Sequence, residues 1–193
     1  MRKLISLCLL TCSILLLAGC LGSVPEENTI AVNKRGEITS TIVEDFDKDF
    51  YDADELESEI EAELAEYNKN FAADHVSMET FEVEDKVATL QLSFDESKYY
   101  TDYTGLTLFV GTLSEAEDEG YDLSGEFVDA DGNATDPETA AAGEDVHVLI
   151  LEETVNVQVP GTILAVCSGD NVTVTGNREA SIAEARLSYI IYE

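Results

Sequence analysis

Basic side chains are scarce in this chain. Ten Lys and Arg stand against 41 Asp and Glu over 193 residues, a formal net charge of −31. A chain so charged is repelled by polyanions, so nucleic acid is excluded as a partner and an anionic membrane surface cannot hold it by charge. Histidine is nearly absent too, with only His75 and His147. Of the four cysteines, Cys8, Cys12 and Cys20 fall in the first 20 residues, leaving Cys167 alone downstream. One cysteine cannot build a disulfide framework, and with two histidines it is too small a set for a soft-metal site of conventional spacing. There is no Gly-rich phosphate loop, no H-E-x-x-H, no G-x-S-x-G and no C-x-x-C. Among 41 carboxylates no pair stands out as an acid–base couple of the hydrolase kind. No cofactor is expected, and catalysis has no motif behind it.

What is present begins at the N-terminus. Arg2 and Lys3 precede an apolar run, residues 4–18, which ends in Leu17-Ala18-Gly19-Cys20. Fifteen residues are short of the roughly 20 that a helix needs to cross the hydrocarbon core. The pattern is instead that of a cleaved signal, with small residues at the cut. The alternatives are a transmembrane anchor or an ordinary secretory signal. Leu17-Ala18-Gly19-Cys20 resembles the lipobox of bacterial lipoproteins. The resemblance implies cleavage before Cys20, a diacylglyceryl group on its thiol and an anchor at the extracytoplasmic face of the cell membrane. Each buried CH₂ contributes about 0.8 kcal/mol, so two or more acyl chains hold where one does not.

Residues 1–19 are then a signal peptide, residues 20–27 the lipidated Cys and a tether, and residues 28–193 a single extracytoplasmic domain. A boundary near Gly143 is the alternative. Loss of Arg2 and Lys3 leaves eight basic residues against 41 acidic, a net charge of −33. The acid is uneven. Residues 44–66 hold 12 carboxylates against Lys48, and residues 114–145 hold 12 with no base. Residues 146–193 hold six.

Two β-rich runs, 28–33 and 37–43, flank Lys34-Arg35-Gly36 and read as a hairpin, as do 76–83 and 87–94 about Glu84-Asp85-Lys86. Between them Leu56, Ile60, Leu64, Tyr67 and Phe71 recur at helical spacing, behind a cap of Asp52 and Glu55. A short helix over 95–104 gathers Tyr99, Tyr100 and Tyr103. These are the candidate binding residues, a stacking surface for a sugar or peptide, with rings packed on a sheet as the plainer reading. Ser114 and Glu117 start another short helix. Five apolar runs between residues 146 and 192, separated by Pro160-Gly161 and similar turns, read as antiparallel strands. Together these predict an α+β fold: two N-terminal β-hairpins packing one long amphipathic helix, followed by a small, mostly antiparallel C-terminal sheet.

The one local constellation is Asp129-Ala130-Asp131-Gly132-Asn133, with Glu138 beyond it. It resembles part of an EF-hand calcium loop. Aligning Gly132 with the loop glycine places Asp129, Asp131, Asn133 and Glu138 as candidate ligands, but Phe127 falls where the first carboxylate belongs. An acidic turn followed by a capped helical turn is the competing reading. More widely, T-I-V-E-D-F-D-K-D-F-Y-D (41–52), V-Q-V-P-G-T-I-L (157–164) and L-S-Y-I-I-Y (187–192) are similar to lipoproteins of unknown function from anaerobic Gram-positive bacteria. That similarity brings no activity with it. The functional expectation is a membrane-anchored, non-catalytic binding or scaffolding module with an extracellular protein or polysaccharide as partner. A cell-envelope enzyme using carboxylates, or a divalent-cation-binding surface protein, is the alternative.

The anchor is open to direct test. Metabolic labelling with a clickable fatty acid should mark the parent and leave Cys20→Ala unmarked, whereas equal label on both would refute lipidation at this thiol.

Overall fold

The computed structural model describes residues 24–140, 146–167 and 169–193. Cys20 and the alternative boundary at Gly143 lie outside the described residues. The first hairpin is β1 (Thr29–Val32) and β2 (Ile38–Asp45), turning where Gly36 takes a φ of 81°. Helix α1 (Ala53–Asn68) follows, then the hairpin β3 (Val76–Glu84) and β4 (Val87–Phe94). Next come α2 (Ser97–Thr104), β5 (Leu108–Thr112), α3 (Leu113–Asp118), β6 (Phe127–Val128), β7 (Ala134–Thr135) and the single turn α4 (Pro137–Ala140). The chain closes with β8 (His147–Leu151), β9 (Asn156–Gln158), β10 (Ile163–Cys167), β11 (Val172–Gly176), β12 (Glu179–Ile182) and β13 (Ser188–Tyr192).

The expected α+β arrangement, with hairpins packing one long helix, is wrong. The described residues are mostly β, 40% strand against 20% helix, in two sheets of seven and six strands. The first sheet has the order β11-β12-β9-β1-β2-β4-β3 and the second β5-β8-β13-β10-β6-β7. Nor do the C-terminal strands form a sheet of their own. Strands β9, β11 and β12 join the first sheet, while β8, β10 and β13 join the second. Turns such as Pro160-Gly161 carry the chain between layers instead of closing local hairpins. A Cβ at Gly161 would collide with the Glu193 carbonyl oxygen, so only glycine permits that crossing. All strand pairs are antiparallel except β1 with β9, where Thr29 to Ala31 run alongside Asn156 to Gln158.

The two strand patterns in the sequence now have a cause. In β4, Ala88, Leu92 and Phe94 are buried and alternate with half-exposed Thr89, Gln91 and Ser93, because the first sheet packs on one face only. In β8, Val148 to Leu151 are all buried, because the second sheet is covered twice. Leu149, Leu151 and Ile190 meet Ile30, Ile38 and Phe94 of the first sheet in one core that reaches from Ile30 to Tyr192. Val148, Ile150 and Ile191 face the other way, into a second core with Ala116 of α3, Leu123 and Phe127. The described residues therefore stack as first sheet, second sheet, and a third layer built on α3. No helix among them is long and apolar enough to cross a membrane.

Helix α1 sits at the β3 margin of the first sheet. The Asp52 side chain accepts the Glu55 N–H at 3.1 Å and caps it. Of its apolar face only Leu64 is buried, with Ile60 and Tyr67 half-buried. The other buried position is Asn68, outside the apolar pattern. Its Oδ1 accepts from the His75 and Val76 N–H groups, at 3.0 and 3.3 Å, and its Nδ2 donates to the Val76 carbonyl at 2.7 Å. This amide ties the helix end to the first residue of β3. Helix α3 also starts two residues earlier than expected. Its capping box is Thr112 with Glu115, not Ser114 with Glu117.

Denaturant melts should grade these positions. Leu64→Ala should cost roughly 2–5 kcal/mol, and Asn68→Ala about 1–3 kcal/mol through the backbone groups it leaves unpaired. Glu59→Ala, on the exposed side, should move stability by less than about 0.5 kcal/mol. A loss at Glu59 comparable with that at Leu64 would refute this placement of the helix.

Candidate functional site

Adjacent residues on a helix point about 100° apart, whereas residues four apart share a face. The three candidate tyrosines of α2 are separated accordingly. Tyr100 turns inward and is 2% exposed, edge-on to Phe94. Its hydroxyl donates to Glu153 Oε1 at 2.7 Å. Tyr99 and Tyr103 take the other face and meet the end of α1 and the segment after it. The Tyr103 ring stands edge-on to Tyr67 at 5.2 Å. Tyr99 lies flat on His75, with centroids 4.1 Å apart and planes 7° apart. Phe71 stands edge-on to both members of that stack, at 5.3 and 5.5 Å. The result is a half-buried aromatic margin of Tyr67, Phe71, His75, Tyr99 and Tyr103. His75 was no binding candidate in the sequence, because no local spacing connects it with Tyr99. It arrives there because Asn68 bends the chain from α1 into β3.

Polar groups rim these rings. His75 Nδ1 lies 2.8 Å from Asp95 Oδ2, and the Tyr67 hydroxyl donates to Asp102 Oδ2 at 3.0 Å. Burial, and then the neighbouring Asp102 carboxylate, push the Tyr67 phenol up to about 12. Burial also raises Tyr103, helped by Glu63. The Lys98 ammonium sits 4.7 Å from the Tyr99 centroid. With His75 against one side of the ring, Lys98 must take the other, and its largely exposed side chain is held by Glu96 at 2.7 Å. On the far side of α2 a groove of about 590 Å³ runs toward α3, lined by Glu96, Lys98, Asp102, Glu115 and Tyr121 among others. Glu115 is held below the usual carboxylate range there, first by the Thr112 N–H and then by the Thr112 hydroxyl.

The calcium-like loop is a tight turn between β6 and β7. Asp129 Oδ1 accepts the N–H groups of Asp131 and Asn133, at 3.0 and 2.8 Å, and the Asn133 amide also donates to it. These bonds, Asn133 foremost, hold the Asp129 carboxyl low. Phe127 is 2% exposed and packs into the second core near Tyr189. Asp131 is exposed, and the Glu138 side chain lies outside the described residues. Among the described residues no three carboxylates, histidines or cysteines converge. Asp136 caps the following turn by accepting the Thr139 N–H at 2.7 Å. Cys167 is half-buried, its sulfur accepting the Tyr189 N–H at 3.5 Å.

No family model matches the chain, and no curated protein or solved structure matches it either.

The tyrosines provide a pH test. Burial raises Tyr100, with Glu153 adding to it, and lifts Tyr192 to about 12, as it does Tyr67. Unfolded phenols titrate near 10. Raised folded values mean that the stability these groups contribute is complete below about pH 10 and is lost as pH rises above it. Tyrosinate absorbance should therefore show a late step that coincides with loss of the circular dichroism of the fold. Smooth ionisation of all eight tyrosines with the fold intact would contradict their burial.

Proposed function

We propose that the protein is an extracytoplasmic lipoprotein, anchored to the cell membrane through Cys20, whose domain is a non-catalytic binding module with the aromatic margin as its contact surface. The observation that carries this reading is the flat, half-buried Tyr99–His75 stack, backed by Phe71, continued by Tyr67 and Tyr103, and rimmed by Asp95, Glu96 and Asp102. Ring faces suit the C–H faces of a sugar, and carboxylates beside them accept from its hydroxyls. A neutral polysaccharide therefore fits better than a polyanion, which the net charge repels. Displacing the exposed Lys98 side chain would open the second face of Tyr99. In the neighbouring groove Glu115 is occupied by the α3 cap, accepting the Thr112 N–H and hydroxyl at 2.8 and 2.9 Å.

Titration calorimetry with neutral polysaccharide fractions from a cell envelope tests the reading. Tyr99→Ala should weaken binding about tenfold, the equivalent of one lost stacking contact. Ser114→Ala, in the third layer, should leave the affinity unchanged. Equal affinity of the parent and Tyr99→Ala would remove the aromatic margin as the contact surface.

A further inference from the structure

The segment that precedes β1 is laid onto the domain. Glu27 Oε2 accepts from the Asn156 amide at 2.7 Å, and the Thr29 hydroxyl donates to the Glu27 carbonyl at 2.8 Å. Residues 24–27 thereby cross the outer face of the first sheet, the side away from the core, over β9 and β12. Hollows of about 430 and 370 Å³ flank the crossing. From Val24 back to Cys20 is four residues, which span no more than about 14 Å when extended. A lipid on Cys20 therefore holds this face within a short distance of the headgroups.

The centre of the same face is uncharged. Strand register places Thr29 beside Thr41 and Asn156, Thr41 beside Gln91, and Ala31 beside Thr39, all on the outward side, with Thr29 and Thr41 covered and Thr39, Gln91 and Asn156 half-exposed. In a chain with 41 acidic residues, none of these central positions carries a charge. The carboxylates of this face stand at the margins: Glu26, Glu27 and Glu179 near the exit of the chain, and Asp45, Glu82 and Glu84 at the far end of β2 and β3. On the opposite side of the molecule, α3 and the loop after it carry nine between residues 115 and 136, with no base among them.

We propose that the outer face of the seven-stranded sheet is the membrane side of the protein, resting on the headgroup layer with the α3 layer turned outward. The proposal rests on the anchor at Cys20. The Debye length at physiological salt is about 8 Å, so an anionic headgroup layer acts mainly on charges at the near face. Packed sheets lie about 10 Å apart, which puts the α3 carboxylates two layers back, beyond that range. On the near face the exposed Gln158 and Thr173 offer an amide and a hydroxyl to headgroup water and phosphate, with the carboxylates kept to the margins.

Single cysteines report the orientation. Thr173→Cys on the outer face and Ser114→Cys on α3 occupy exposed positions of the domain. Each is placed in the full-length chain with Cys167→Ala, in intact membranes and in detergent, and treated with a bulky polyethylene-glycol maleimide. Fatty-acid label on Cys20 is read on the same samples. The expected result is a lipidated protein whose Thr173→Cys site reacts several-fold more slowly than Ser114→Cys in membranes, and as fast in detergent. Equal rates in membranes on lipidated protein overturn the orientation and leave the anchor standing. Slow reaction at Thr173→Cys in detergent also overturns it, because the fold and not the bilayer is then the shield. Absence of lipid on Cys20 overturns the anchor and the orientation together.

Discussion

Strands β8 and β13 lie side by side in the second sheet and are covered on both faces, and the other elements are arranged around that requirement. Leu149, Leu151 and Ile190 need the first sheet over them, while Val148, Ile150 and Ile191 need α3 and the loop after it. Each such side chain contributes about 1.5–3 kcal/mol when taken fully out of water. Neither cover would remain in place without this pair beneath it. The pairing runs in register over five residues, from Ser188 opposite Leu151 to Tyr192 opposite His147. Backbone hydrogen bonds are thus satisfied along the most apolar stretch of the molecule.

A second constraint is the charge. With eight basic residues in residues 20–193, most carboxylates have no cation to pair with, and mutual repulsion opposes compactness. The fold answers by position. Acid is concentrated on α1, at one margin of the first sheet, and on the α3 layer, leaving the sheet interiors uncharged. Where a carboxylate does approach the core, as Glu153 does, its pKa is raised by burial and it accepts the Tyr100 hydroxyl. The aromatic margin borders α1, so a ligand there meets carboxylates on its rim and rings at its centre.

Local features were legible in the sequence to the extent that their causes are local. The Asp52 cap and the turn at Gly36 depend on residues a few positions apart, and they occur where the sequence places them. The architecture was not legible, because apolar runs do not state which sheet they join. Residues 155–159 and 163–166 are both runs of alternating or continuous apolar character, yet β9 enters the first sheet and β10 the second. The strand at Glu179–Ile182 was missed altogether, since Glu179, Ala180 and Ser181 lack β-branched character and are drawn into the sheet by pairing with β9 and β11. The candidate site was half legible. Tyr99 and Tyr103 share a helical face, but Tyr100 belongs to the core. His75 joins them only through the Asn68 amide, a contact with no signature in residue spacing.

The parallel pairing of β1 with β9 has a consequence for how the chain comes to be folded. Thr29 finds its partner in Asn156, so the first strand cannot be flanked on both sides until most of the polypeptide is available. Contacts so distant in sequence incur their loop-closure entropy before any of them is rewarded, which makes folding slow. Under the export proposed above, which would thread the polypeptide through a translocation channel, such slowness would be useful. The leading hairpin can emerge without locking into a finished domain behind it. Closure of the seven-stranded sheet is then the late event, completed where the protein is to work.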